Sequence, residues 1–372
     1  KLSTRCRLER ESPMPVPKPQ LSLAMIVKNE ARCLARCLQS IRSIVDEMVI
    51  VDTGSTDGTV GIANDFGAKI LHFNWVSDFS AARNFALDQA TGDWILVLDA
   101  DEFASEALGR EIREFLRQNT VIGRLKIVSD FRRNGSTLRS QSFVARLFPC
   151  GARFRGRIHE QIVSPLPRVN LRGELWHDGY LETQKSDRNI KLLAAELERD
   201  PGNSYLLYQL ALEYTSLDQT ENAFQCLQKS FAGVKHTDPF VPNVVVDLLY
   251  SAMALKKFDA GIEAIEKSEI FLQDFPDYYL VRGLFYMNLI RSNPAKYANE
   301  LAKIEQSFQR CLALGETDKY KSVWGSGTFL ANYNLGVFYH VFGNANGARK
   351  CFETAVAQGH EPAAAMLKRL KG

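Results

Sequence analysis

Asp93-Trp94-Ile95-Leu96-Val97-Leu98-Asp99-Ala100-Asp101-Glu102 is the stretch that decides the reading of this chain. Its apolar run, Trp94 to Leu98, ends abruptly in acidic residues. A short run without polar alternation predicts an inner strand covered on both faces. Open α/β sheets bind ligands beyond the carboxyl ends of such strands. Asp99 and Asp101 sit two apart, so both can reach one hard cation that also holds a diphosphate. An isolated Asp-x-Asp is more often a helix N-cap, here for the helix-like stretch 105–118. The residues upstream decide between the two.

Upstream, strand and helix patterns alternate. Apolar runs at 21–27, 48–51 and 68–73 predict strands, and apolar positions at helical spacing predict helices over 31–44, 59–66 and 78–90. That alternation argues for an α/β sheet with parallel strands. Each strand end carries polar residues: Asn29-Glu30, then Asp52 to Asp57, then Asp99 to Glu102. All fall on one edge of the sheet, so one pocket can use them. The loop after the second strand lacks GxxxxGK[ST] and is acidic, which excludes a phosphate-binding P-loop. Asp52 is suited to accept a hydrogen bond from a base imide, whereas Asp57 reads as a cap for the next helix or for its own turn.

These residues carry a resemblance. Met25-Ile26-Val27-Lys28-Asn29-Glu30, Val51-Asp52-Thr53-Gly54-Ser55-Thr56-Asp57-Gly58-Thr59, Ala82-Arg83-Asn84 and Leu98-Asp99-Ala100-Asp101-Glu102 stand in the order seen in glycosyltransferase family 2 enzymes of GT-A fold. The resemblance implies a UDP-sugar donor, a divalent metal (Mn²⁺ or Mg²⁺) and transfer with inversion. Carried over residue by residue, Val27 and Glu30 border the nucleoside, with Asn29 and Ala100 in the same binding loops. Asp52 reads the base, Arg83 approaches the base or phosphates, Asp99 meets ribose or metal, and Asp101 ligates the metal. Two later motifs, Phe154-Arg155-Gly156-Arg157-Ile158-His159-Glu160-Gln161-Ile162 and Leu175-Trp176-His177-Asp178-Gly179-Tyr180, are similar to those of a bacterial subgroup fused to helical repeats. Some of its members glycosylate Cys or Ser of peptides. That likeness makes His177 a third metal ligand. Inverting transfer needs one base near the acceptor. Glu160 is the first candidate, with His159 or Glu102 behind it.

Residues 123–130 and 140–148 alternate as strands around Asn134-Gly135, a hairpin signal. From Phe131 to Arg172 there are nine Arg, no Lys and one acidic residue, Glu160. Arg suits bidentate phosphate contact; the alternative is a solvated basic face.

From Ser204 the pattern becomes helical and repetitive. Tyr208 to Tyr214 is followed by Ala223 and Leu227, and Tyr333 to Tyr339 by Ala348, Phe352 and Ala355. The spacing is similar to that of tetratricopeptide repeats. Residues 248–268 fit a third copy. Residues 279–286 with 308–311 fit a fourth, stretched by an insertion near 292–298. Such units bury their faces on one another and leave a concave surface for a peptide or for self-association.

With 372 residues, 45% hydrophobic and 24% charged, the composition is that of a globular chain of two or three domains. A net charge of +3 and sparse aromatic interleaving argue against nucleic acid, and no run is long enough to span a membrane. Seven scattered cysteines without a CxxC pair suggest a reducing, cytoplasmic setting. The expected organisation is a flexible Pro-rich arm over 1–20, an α/β GT-A domain over 21–182, a helical linker over 183–203, and an all-α tetratricopeptide-like domain over 204–372. The expected activity is metal-dependent inverting transfer from a nucleotide-sugar to Cys or Ser of a peptide presented by the repeats, which could instead hold a homodimer. Its rivals are an envelope polysaccharide or lipid acceptor, and a non-catalytic scaffold.

Overall fold

The computed structural model describes residues 18–117, 121–133, 136–178 and 186–370. Most of the expected arm, the end of the helix at Gln118, the Asn134-Gly135 turn and Gly179-Tyr180 lie outside them. The N-terminal half is built on β1 (Leu21–Val27), α1 (Leu34–Ile41), β2 (Glu47–Asp52), α2 (Thr59–Asp65), β3 (Lys69–His72), α3 (Phe79–Gln89) and β4 (Trp94–Val97). Next come β5 (Glu102–Ala104), α4 (Glu106–Phe115), β6 (Ile122–Arg133), β7 (Ser136–Pro149), β8 (Arg153–Arg155), β9 (Gln161–Val163) and β10 (Arg168–His177).

The main sheet runs β3-β2-β1-β4-β7-β6-β10-β5. The first four strands are parallel, as the strand–helix alternation requires. The sheet then turns mixed: β7 is antiparallel to β4 and β6, and β5 is antiparallel to β10. The parallel strands expected from the alternation run as far as β4, and the hairpin expected at 123–130 and 140–148 is β6–β7. The β6–β7 hairpin reverses direction without a crossover helix, and a hairpin makes antiparallel neighbours. Strand β4 is fully buried, because both sheet faces are covered. One face packs Leu23, Met25 and Leu96 under α1 and α4. The other packs Ala24, Ile95 and Val97 under α3 and the small β8–β9 sheet.

The C-terminal half is helical. It opens with α5 (Ser186–Arg199), which packs on α6 (Ser204–Ser216), where Asn189 Nδ2 donates to Glu213 Oε1 at 2.8 Å. Helices α7 (Thr220–Gly233), α8 (Val241–Leu255), α9 (Phe258–Ser268) and α10 (Pro276–Ser292) continue the stack. The insertion forms the short α11 (Pro294–Tyr297) before α12 (Leu301–Leu314). Then come α13 (Phe329–Val341), α14 (Ala345–Ala357) and α15 (Glu361–Arg369). The small residues of the repeat pattern have a steric reason. A Cβ on Gly283 would meet the Phe308 ring at 2.6 Å, and one on Gly336 would meet Phe352 at 2.7 Å. Glycine there lets paired helices interlock through an aromatic ring.

The halves are joined by a strand addition that the sequence did not signal. Between α12 and α13, β11 (Ser322–Val323) pairs antiparallel with β7. Buried Asp277 on α10 accepts from Val323 N at 2.7 Å and Ser326 Oγ at 2.5 Å, fixing this segment to the repeats. Arg139 lies with its guanidinium 4.9 Å from the Trp176 ring and 5.4 Å from the Trp324 ring. The same group is held bidentately by Asp130. A cation between two indoles contributes about 1 kcal/mol per exposed contact. Trp324→Ala is therefore expected to speed amide exchange of Val323 by about five-fold. Exchange mass spectrometry reads this, and unchanged exchange would mean the stack does not hold the halves together.

Candidate active site

The polar strand ends converge on a cleft of about 930 Å³. Its floor is the end of β4. Asp99 accepts from Arg83 Nη2 at 2.7 Å through one carboxylate oxygen and from Arg146 Nη2 at 2.7 Å through the other. Arg146 also donates to Glu102 Oε1 at 2.6 Å, and Glu102 Oε2 accepts from Asp99 N at 2.9 Å. Arg83 Nε donates to Glu160 Oε1. Two arginines and three carboxylates thus form one continuous network. Burial would push the Asp99 carboxyl up, but the two guanidiniums outweigh it and hold the group far below the usual carboxylate range. Glu102 goes the other way. Burial and the Asp99 charge raise it, although Arg146 opposes them.

Arg146 reaches this position because of a local irregularity. Gly123 pairs with Leu147 but Arg124 pairs with Ala145, so Arg146 is the extra residue of a β-bulge. Bulges re-aim side chains next to functional sites. The sequence pointed to the arginine-rich region as a whole and not to this residue, since nothing in the strand pattern marks where a register shift falls.

Asp101 and His177 form the second element. Strand β5 pairs with β10, which places Glu102 opposite His177 and brings Asp101 Oδ1 to 3.5 Å from His177 Nε2. His177 Nδ1 lies 3.3 Å from Ser129 Oγ. Burial opposes protonation of this imidazole, but its hydrogen bond to Asp101 and the surrounding carboxylates raise its pKa above the ordinary value. Of the three expected metal ligands, Asp101 and His177 face one another, while both oxygens of Asp99 are turned to guanidiniums. Among the described residues, no group of three or more His, Cys, Asp or Glu side chains is arranged to hold a metal ion. The Asp101–His177 pair still fits a divalent cation whose remaining positions go to diphosphate and water.

The other expected donor residues divide into two sets. Val27, Glu30, Arg83 and Ala100 line the cleft. Asn29 and Asp52 work within the loops behind it. Asn29, at φ +56°, accepts from Thr56 N at 2.8 Å. Asp52 accepts from Gly54 N at 3.2 Å and Ser55 N at 3.1 Å, and Thr53 lines the cleft in its stead. Asp57 accepts from Thr59 N at 3.0 Å and Ala31 N at 3.2 Å, closing its own turn rather than capping α2, whose N-cap is Gly58.

Glu160 and His159 sit together on the cleft wall after β8. Glu160 is committed to Arg83. His159 has φ +52°, costly for a residue with a Cβ, and its Nε2 is buried without a partner. Burial lowers its pKa, which favours the neutral imidazole. The repeat domain also reaches the cleft. Arg188 of α5 stacks 5.0 Å from the Phe79 ring, and Tyr205 of α6 and Pro239 line the same cavity.

Residues 22–163 match the sequence description of glycosyl transferase family 2. The domain that carries the cleft is thus a glycosyltransferase family 2 domain, and the helices behind it are tetratricopeptide-like repeats. A tetratricopeptide repeat-containing protein of Synechococcus elongatus is 33% identical over 274 residues, 68% of this chain and 66% of that protein. The SPbeta prophage-derived glycosyltransferase SunS of Bacillus subtilis is 31% identical over 232 residues, 58% of this chain and 54% of SunS. The chain therefore spans less than two thirds of either relative. The crystal structure of MamA overlays on 48% of this chain and 91% of its own, with 19% identity and a TM-score of 0.38. No helix among the described residues is long and apolar enough to cross a membrane.

Removing Arg146 leaves Glu102 buried without its cation. Arg146→Met is expected to lower stability by about 3 kcal/mol, the order seen when a buried ion pair loses one partner. Without Arg146, burial and the Asp99 charge act on Glu102 unopposed, so the penalty for its charged form is absent at low pH and grows as pH rises. The stability gap from wild type should therefore widen as pH rises above about 4.3. Urea denaturation at several pH values measures it, and a gap independent of pH would remove Glu102 from the account.

Proposed function

We propose that this chain transfers a sugar from a UDP-sugar, with inversion, to a Cys or Ser side chain of a peptide held between the cleft and the repeats. The observation that carries the donor half is the arrangement at the end of β4: the Asp101–His177 pair beside a network of two arginines. Asp101 and His177 would hold a divalent cation, which when bound supplies positive charge to the departing diphosphate. Asp99 is reserved for positioning Arg83 and Arg146, and its remaining exposure suits a ribose contact. The partnerless Nη1 of Arg83 leaves that guanidinium a donor to spare for the donor phosphates.

His159 is the better base. Glu160 is engaged by Arg83, whereas a neutral imidazole with a free Nε2 can take a proton. In the step, the acceptor sulfur or oxygen attacks the anomeric carbon and its proton passes to His159 Nε2. The bond to the diphosphate breaks on the opposite face. Glu160 keeps Arg83 in place. The peptide acceptor is supported by Tyr205 and Pro239, through which the repeats wall the cleft.

Calorimetry with UDP, with and without Mn²⁺, is the test of the donor half. UDP is expected to bind at least about ten-fold tighter with metal, and Asp101→Asn to abolish that difference. Metal-independent binding would refute the cation site. Transfer to Cys- or Ser-containing peptides, read by mass spectrometry, should fall as pH drops through the lowered His159 pKa, because the protonated ring is no base. His159→Gln should lose about 10²- to 10⁴-fold in kcat. A pH profile unchanged by that substitution would place the base elsewhere.

A further inference from the structure

The cleft holds two guanidiniums that the donor chemistry leaves unused. Arg124 stands on β6 and Arg168 at the start of β10, and both line the cavity. Asn170 is the register partner of Arg124, and Arg168 that of Ile122. Two residues apart on neighbouring strands, Arg124 and Arg168 are diagonal neighbours on one face of the sheet. Among the described residues, their hydrogen bonds go to backbone carbonyls. Arg124 donates to Phe143 O through Nε at 3.2 Å and Nη2 at 2.7 Å, and Arg168 donates to Ile162 O at 3.2 Å.

No carboxylate among the described residues pairs with either of them. Of the cleft's acids, Asp99 and Glu160 are engaged with Arg83, Asp101 with His177, and Glu30 accepts from Cys33 Sγ. Burial lowers the Arg124 pKa and the neighbouring Arg168 charge lowers it further, so the two cations repel without a counterion between them. The carbonyl bonds fix the orientation of both side chains while leaving donors on each open. Two oriented, uncompensated guanidiniums on a cavity wall are suited to a tetrahedral or planar oxyanion.

The donor diphosphate does not fill this place. His177 is level with Ser129 on β6, and Arg168 with Ile122. Along β6, seven residues separate the level of His177 from that of Arg168 and five separate it from Arg124, about 23 and 17 Å at the usual rise. That is beyond the reach of one diphosphate anchored at Asp101 and His177.

We propose that Arg124 and Arg168 form an oxyanion subsite for the acceptor, so that the acceptor carries a phosphate or carboxylate group at a distance from its nucleophile. This inference rests on the donor reading above and extends it to the acceptor. The acid-depleted wall selects acceptors by charge, and the fixed separation from the metal pair sets how far the anion lies from the reacting atom.

The test uses the full chain with UDP and Mg²⁺ at saturation, so that the donor site is filled. Inorganic phosphate is titrated by calorimetry, followed in a second arm by N-acetyl-aspartate amide. Phosphate is expected to bind wild type additively with UDP. Arg124→Gln and Arg168→Gln should each weaken it about ten-fold, the loss of one charge-assisted bond, and the double variant should abolish it. Arg168→Lys, which keeps the charge but not the fork, should fall between. Circular dichroism and unchanged UDP affinity show that the variants are folded. Phosphate that competes with UDP, or that binds all variants equally, overturns the subsite. Binding of both probes assigns an acidic peptide acceptor, and binding of phosphate alone assigns a phosphorylated one. If wild type fails to bind UDP yet binds phosphate through these arginines, the donor reading falls and the anion site stands.

Discussion

The structure around the cleft depends on one buried charge network, Arg83–Asp99–Arg146–Glu102, at the carboxyl end of β4. Two carboxylates this close in a poorly solvated place would repel, and one would take up a proton. Arg146 between them removes that conflict, and Arg83 extends the network to Glu160 on the opposite wall. The network spans β4, α3, β7 and the β8–β9 connection. It therefore fixes the relative positions of the elements that wall the cleft. Asp99, a ribose or metal contact in the sequence reading, orients two arginines, while Asp101 faces His177.

The strand addition gives the repeats a direct mechanical link to this site. Strand β11 extends the sheet beside β7, the strand that carries Arg146, and Trp324 closes on Arg139 against Trp176. Trp176 precedes His177 on β10. The repeats and the family 2 domain are thus not merely tethered. They share hydrogen bonds with one sheet, so the repeat wall of the cleft stays in register with its catalytic floor.

Much of this was legible in the sequence because the responsible forces are local. The runs that made β1, β2 and β4 are continuous and apolar, the mark of strands covered on both faces. The repeat helices followed from spacing and from small residues such as Gly336, whose Cβ position is filled by Phe352. The short strands β5, β8 and β9 were not legible, since three residues carry no periodicity. The site was read in outline. Asp101, Arg83 and His177 were singled out, while the loop hydrogen bonds that Asp52 and Asn29 accept could not be foreseen, because they depend on how the loop turns. Arg146 lay within an arginine-rich stretch and could not be separated from its neighbours.

By itself, then, the sequence determined the family 2 domain, the order of its strand-end acids and the repeat array, because composition and period act over a few residues at a time. Only the tertiary structure decided which charge faces which. Ion pairing is set by distance, and here the distances depend on a bulge at Gly123–Arg124, an antiparallel β5 and a strand donated from far along the chain. Those features turned Asp-Ala-Asp-Glu from a row of acids into two devices: Asp99 and Glu102 locked on arginine, and Asp101 set against His177.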